Sequence, residues 1–470
     1  MLSAILLGLA IGSAAAQEPA VPEATTPAPA PDAGQEIRIP FEEYDLENGM
    51  HVILSQDKSI PYVWVNIWYR VGAKDEVPGR SGFAHLFEHL MFQGSQHADG
   101  EYFQPLQKIG AVINGTTNWD RTNYFEGVPS EQLPLALFME SDRMGWLLPA
   151  LSEDKLENQK LVVRNERRQS YENRPYGMVW KWLAEELYDE GHPYHIPTIG
   201  RHEDIDAATL KDVKDFFRQW YVPSNASLTI AGDFDTEEAK MLVEKYFGHV
   251  PAGPTPKPVL EASASLDKEK VVRHTDDVPH QKVWIAWHRP GLYKPGDADL
   301  DVLASVVSSG KDSRLYKHLV HDTQIAKSIE AYQVSLLLGS FFVVEATASP
   351  GKSTDEVVTE VDRVLAELIK DGPSEEEVRI AKDNWEARFY GGLASIRAKS
   401  DPLNQYYMQT GNTDYIQTDL ARYLNVTPSS VHQTQERWLT DKRVVLHVGP
   451  KPQEHAPAAT ETPDAAKEEK

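Results

Sequence analysis

The chain has no cysteine in its 470 residues. That excludes disulfides, thiolate metal ligands, a thiol nucleophile and the lipid-modified cysteine of a bacterial lipoprotein, so stability must come from buried cores and any metal site from other side chains. Positive charge is also scarce. Against 71 Asp and Glu stand 47 Lys and Arg, a net charge of -24, and a non-specific nucleic-acid binder would need a basic surface for phosphate contacts. Long apolar runs are missing too. The run from Leu2 to Ile11 has about ten residues where a hydrocarbon core needs about twenty, so no stable membrane anchor is expected. Followed by Ser13-Ala14-Ala15-Ala16, it reads as a signal peptide over residues 1–16, although no Lys or Arg precedes it. The expected location is the periplasm.

What is present is an ordinary globular composition, 41% hydrophobic and 25% charged, in a chain too long for one core. Residues 17–35 form a Pro/Ala-rich linker, residues 251–270 open with four prolines in eight positions, and residues 451–470 form a similar tail. Two bodies remain, residues 36–250 and 271–450. They read as copies. Each has an early strand bearing a tryptophan, Trp64 or Trp284, and near its end Trp220 corresponds to Trp438 and Leu228 to Leu446, each 218 positions apart. Period-2 runs such as Val63 to Tyr69 and Phe341 to Thr347 accompany helical stretches such as Asp154 to Tyr171 and Thr354 to Lys370. The fold class this implies is α+β, two homologous domains, each a mixed, largely antiparallel sheet packed with helices.

The segment carrying chemistry is His85-Leu86-Phe87-Glu88-His89. On a helix, His85, Glu88 and His89 share one face, so both imidazoles can reach one metal while the carboxylate stands beside its water. Phe83, Leu86, Phe87 and Leu90 recur at the spacing of a buried stripe, with Ser81 as the expected N-cap and Gly94 as the stop. A zinc site needs a third protein ligand. Glu166, 77 residues after His89, lies on the predicted helix from Asp154 to Tyr171, capped by Ser152. Gln159, seven residues earlier on nearly the same face, is placed to hydrogen-bond the metal shell. The second body has Leu303-Ala304-Ser305-Val306-Val307 where a second such motif would fall, and cannot bind zinc there.

With its inverted HxxEH order, the sequence resembles the zinc peptidase family of pitrilysin, insulin-degrading enzyme and the mitochondrial processing peptidase beta subunit. The resemblance spans both bodies and includes GAVINGTTNWDRTNYF at 110–125, HPYHIPTIG at 192–200 and FFRQWYVPSNASLTIAGDFD at 216–235. It implies that one Zn2+ per chain is held by His85, His89 and Glu166, that Glu88 is the general base, and that four domains enclose a chamber for unfolded peptides. Asn114 matches the residue near a sheet edge where substrate adds as a strand; the bland alternative is a turn at Asn114-Gly115.

Two departures bear on function. Many relatives have Glu where this chain has Gln159. Active relatives also place an Arg, and seven residues later a Tyr, in the second half to grip the substrate carbonyl; LVHDTQIAKS at 319–328 puts Val320 and Lys327 there. Arg314 and Tyr316 lie nearby in a setting that reads as structural. The expected partner is therefore a homologous subunit lacking HxxEH and supplying Arg and Tyr. The competing reading is a non-catalytic peptide-binding or assembly homologue of the same fold. A presequence-processing role would share the chemistry, but the export signal argues against it.

Overall fold

Two mixed sheets built in the same order organise residues 37–452, the part of the chain that the computed structural model describes. The signal-peptide and linker readings for residues 1–35, and the tail after Pro452, lie outside the described residues. The first sheet has the order β1-β2-β6-β3-β5-β4, from β1 (Glu42–Asp45), β2 (His51–Gln56), β3 (Tyr62–Tyr69), β4 (Val112–Thr117), β5 (Thr122–Pro129) and β6 (Ala226–Gly232). The second has the order β7-β11-β8-β10-β9, from β7 (Lys270–Asp276), β8 (Lys282–Arg289), β9 (Ala326–Val334), β10 (Ser340–Ala348) and β11 (Val444–Pro450). Without β1 the two orders match strand for strand. In each sheet one pair is parallel, β2 with β6 and β7 with β11, and the remaining pairs are antiparallel. The chain is thus a duplicated α+β fold.

The tryptophans mark equivalent places: Trp64 and Trp284 lie on β3 and β8, and Trp220 and Trp438 each end the helix that leads into β6 or β11. The leucine correspondence fails. Leu228 points into the core of the first half, whereas Leu446 points to the opposite face of its sheet, beside Trp284. Because side chains alternate along a strand, a register offset by an odd number of residues exchanges the two faces, and the gapless alignment across this strand does so.

Four helices position the site. Helix α1 (Phe83–Leu90) lies between β3 and β4, α2 (Glu153–Arg167) and α3 (Val179–Leu187) follow β5, and α4 (Ile396–Thr410) belongs to the second half. In the second half, the helix Asp297–Ser308 takes the place of α1 between β8 and β9 and carries Leu303 to Val307.

Helices α3 and α4 are exchanged. Val179, Leu183 and Leu187 of α3 pack with Trp284, Ala286 and Leu446 on the second sheet. In return α4 crosses the first sheet, where Asn404 Nδ2 donates to the Asn66 carbonyl at 2.9 Å and Asn404 Oδ1 accepts from Ser227 Oγ at 2.7 Å. Asp401 accepts from Asn66 Nδ2 at 3.1 Å and from Trp68 Nε1 at 2.9 Å. This cover explains why Val63 to Tyr69 are buried on both faces of β3. It also joins the halves without disulfides, since each fully buried Val or Leu contributes about 1.5–3 kcal/mol. The connection between halves follows the surface as a strap without regular structure, held where Leu266 is buried and where Val259 N donates to Asp75 Oδ1 at 3.1 Å.

Candidate metal centre

Helix α1 has only 8 residues, too few to be stable alone, so packing must hold it. Phe83, Leu86, Phe87 and Leu90 are buried as the apolar spacing predicts, and Phe87 stacks on Phe216 and Tyr221 with ring centroids 5.1 Å away in each case. His85, Glu88 and His89 take the other face.

The entry to α1 differs from expectation. Gly82, at φ +83°, is the N-cap in place of Ser81, whose hydroxyl instead donates to Asp204. The first amides are satisfied from outside the helix: Glu76 accepts from Gly82 N at 2.9 Å and from Ala84 N at 2.8 Å. Burial pushes the Glu76 carboxyl up to about 8, against the lowering effect of these two amide bonds. Gly82 packs backbone to backbone on Gly200, whose added Cβ would fall 2.5 Å from Gly82 Cα. At the other end the helix stops at Leu90, short of Gly94.

Helix α2 is capped by Ser152 as expected, its hydroxyl accepting from Lys155 N at 3.3 Å. It ends at Arg167 rather than Tyr171, because residues 168–172 widen into a π turn closed by Asn173 N donating to Arg168 O at 2.7 Å. Arg167 donates to the Gly200 carbonyl. Through Gly200, then, the second helix is tied to the entry of the first.

This packing brings three ligand atoms together. His85 Nε2 and His89 Nε2 are 3.3 Å apart, His89 Nε2 is 3.1 Å from Glu166 Oε2, and His85 Nε2 is 3.7 Å from the same oxygen. Zinc bonds of ~2.05 Å in a tetrahedron require ligand atoms roughly 3.3 Å apart, so the triangle has the size of one face of a zinc site. Two His and one Glu form a donor set that leaves a fourth position open. Burial, and then the neighbouring His89, push His85 down to about 4, so its imidazole is neutral near pH 7 and offers a lone pair.

Glu88 is 4% exposed, its Oε2 is buried without a hydrogen-bond partner, and burial raises its proton affinity. Beside it lies Gly115, where an added Cβ would fall 3.1 Å from Glu88 Cγ and 3.1 Å from Tyr124 Cδ1. No local pattern in the sequence signals this close approach. Gly115→Ala is expected to displace Glu88 and lower kcat roughly tenfold, since small misplacements of a reacting group are costly, while zinc content stays at the wild-type level. Parallel metal analysis and steady-state kinetics check it.

Asn114 sits on β4, not in a turn, and β4 is an edge strand of its sheet, paired among the described residues only with β5. Gln159 is buried in α2 two turns before Glu166, but no hydrogen bond joins it to the three ligands. Val320 packs half-buried against the core of the second half, and Lys327, on β9, approaches His280 Nε2 at 3.2 Å. Arg314 is engaged by Glu377 at 2.7 and 2.8 Å and by the Gly372 carbonyl at 3.0 Å, and Tyr316 packs against the second core. Both therefore have structural work in the second half. Among the described residues no helix is long and apolar enough to cross a membrane.

Known proteins resemble the chain over both of its halves. The profile of the insulinase family (peptidase family M16) matches residues 51–197, and that of the peptidase M16 inactive domain matches residues 207–384. The chain is 29% identical to the zinc protease PqqE of Helicobacter pylori over 80% of its own length and 85% of that protein. It superposes on the crystal structure of a protease from Helicobacter pylori with a TM-score of 0.81 and 26% identity, covering 88% of this chain and 100% of that one. The periplasmic protease PqqL of Escherichia coli shares the fold at a TM-score of 0.73 and 15% identity, and the match takes 87% of this chain but 48% of that one. The chain therefore belongs to peptidase family M16, the pitrilysin-like family, and carries both of its domains.

Proposed function

We propose that the chain is a zinc-dependent endopeptidase that hydrolyses unfolded peptides, with one Zn2+ held by His85, His89 and Glu166. The observation that carries this reading is the zinc-sized triangle of ligand atoms next to the unpartnered carboxylate oxygen of Glu88. When bound, zinc supplies a Lewis acid for the scissile carbonyl and lowers the pKa of water toward about 7. Glu88 accepts the proton of the attacking water at Oε2 and delivers it to the leaving amine; its burial brings its proton affinity closer to that of the groups it serves. The peptide lies along the open edge of β4 as an added strand, which brings its backbone past Asn114 and toward Glu88. The description of the second profile as an inactive domain fits the half that carries Leu303 to Val307 in place of a motif.

To test this reading, the chelated chain is assayed on a quenched unfolded peptide before and after zinc is returned. Cleavage lost on chelation and restored by zinc supports it, and cleavage indifferent to metal contradicts it.

The working form is a heterodimer. Val320 and Lys327 stand where active relatives have the carbonyl-gripping Arg and Tyr, and PqqL, about twice as long, has room for two chains of this size in one. A homologous subunit lacking HxxEH supplies the missing side chains. Its addition is expected to raise turnover by about 10²–10³, the size of an oxyanion-donor effect; an unchanged rate in a titration with that subunit contradicts the pairing. The periplasmic location rests on the signal peptide read at residues 1–16.

A further inference from the structure

The turn that joins β4 to β5 is bound, through one buried carboxylate, to the turn that joins β9 to β10 in the other half of the chain. Asp120 Oδ1 accepts from the Tyr194 hydroxyl at 2.5 Å and Asp120 Oδ2 from Leu337 N at 3.0 Å, while the Tyr194 oxygen accepts from Leu338 N at 2.9 Å. Asp120 is 5% exposed and Tyr194 is fully buried, so these bonds are made away from water, where an unmade one is costly. The neighbours reinforce the lock. Trp119 Nε1 donates to the Ile196 carbonyl at 3.0 Å, Ala73 N to Asn118 O at 3.1 Å and Lys74 N to Trp119 O at 2.9 Å. On the far side the Tyr188 hydroxyl donates to Gly339 O at 3.0 Å.

Asp120 stands three residues beyond the end of β4. Among the described residues that strand has a neighbour on one side only, so its tip is fixed by β5 and by this turn. We infer that Asp120 and Tyr194 are positioning residues by which the motif-free half of the chain sets the edge strand that receives the peptide. Neither touches the reacting groups; they act through the placement of β4. An edge strand held at its tip in advance loses less entropy when a peptide pairs with it, so the latch strengthens binding of extended substrates. The inference deepens the peptidase reading and rests on it for the identity of the occupant of β4.

The test uses the full chain, with its partner subunit if turnover requires one, carrying Asp120→Asn or Tyr194→Phe. The second variant keeps the ring that packs 5.9 Å from Trp119 and removes only the hydroxyl. Three quantities are read: zinc per chain, kcat and KM on a long and a very short quenched peptide, and amide hydrogen exchange over residues 112–117. The expected result is unchanged zinc, kcat nearly unchanged, KM for the long peptide raised about tenfold with little change for the short one, and exchange in β4 faster by about tenfold with β2 and β3 unaffected. Unchanged KM and unchanged exchange overturn the latch, and so does a fall in kcat accompanied by zinc loss, which would mark a merely structural role. If the wild-type chain cleaves neither peptide, the peptidase reading fails, and exchange in β4 still decides whether the latch exists.

Discussion

Glu88→Gln is expected to bind zinc as the wild-type chain does and to lose roughly two to four decades of kcat, the range of a general-base contribution. Glu88 lies on the same face of α1 as His85 and His89 but is not one of the three atoms of the triangle, so the substitution removes a proton acceptor and leaves the metal's donors in place. The amide is nearly the size of the carboxylate, so it fits the same space beside Gly115, where only a glycine leaves room. Its neutral oxygen cannot take a proton from water. A change in kcat with zinc retained, measured on one preparation by metal analysis and peptide kinetics, separates this role from a ligand role. Equal loss of zinc and activity would place Glu88 among the ligands instead.

His85→Ala and Glu166→Gln should behave in the opposite way, losing metal first and activity with it. Glu166 Oε2 lies 3.1 Å and 3.7 Å from the two imidazole nitrogens, and its carboxylate is the one anionic donor in the triangle. Gln keeps the shape and α2 keeps its packing through Leu156 and Val163, so the fold is expected to survive. Loss of a residue that only orients a ligand typically costs 10–100-fold in metal affinity; loss of one of three direct donors should exceed that, leaving peptide cleavage at background. Dialysis against zinc buffers followed by metal analysis measures it.

The helix bearing the motif was legible because its apolar stripe and its ligand face are set by local spacing, which one turn of helix converts directly into geometry. Glu166 was reachable by the same route, since Ser152 and two acidic residues announce the start of α2. The entry to α1 departs from the local signal for a physical reason: Glu76 caps it from six residues upstream, across a loop that no residue beside the first turn announces. Gly115 looked like part of a turn signal, whereas its function is to leave room for Glu88 between two elements distant in sequence. The exchange of α3 and α4 was invisible because periodicity tells which face of a helix is buried but not against which sheet. A related limit explains the Leu228 and Leu446 mismatch, where two equivalent strands carry their leucines an odd number of positions out of register and so on opposite faces.

The central claim is that His85, His89 and Glu166 hold a catalytic zinc that Glu88 serves without binding it. It is tested most directly by measuring zinc per chain and peptide turnover together for the wild type, Glu88→Gln and Glu166→Gln. The account predicts one zinc with activity, one zinc without activity, and neither, in that order. A Glu166→Gln chain that is zinc-replete yet inactive, or a zinc-free wild type that still cleaves, would contradict it.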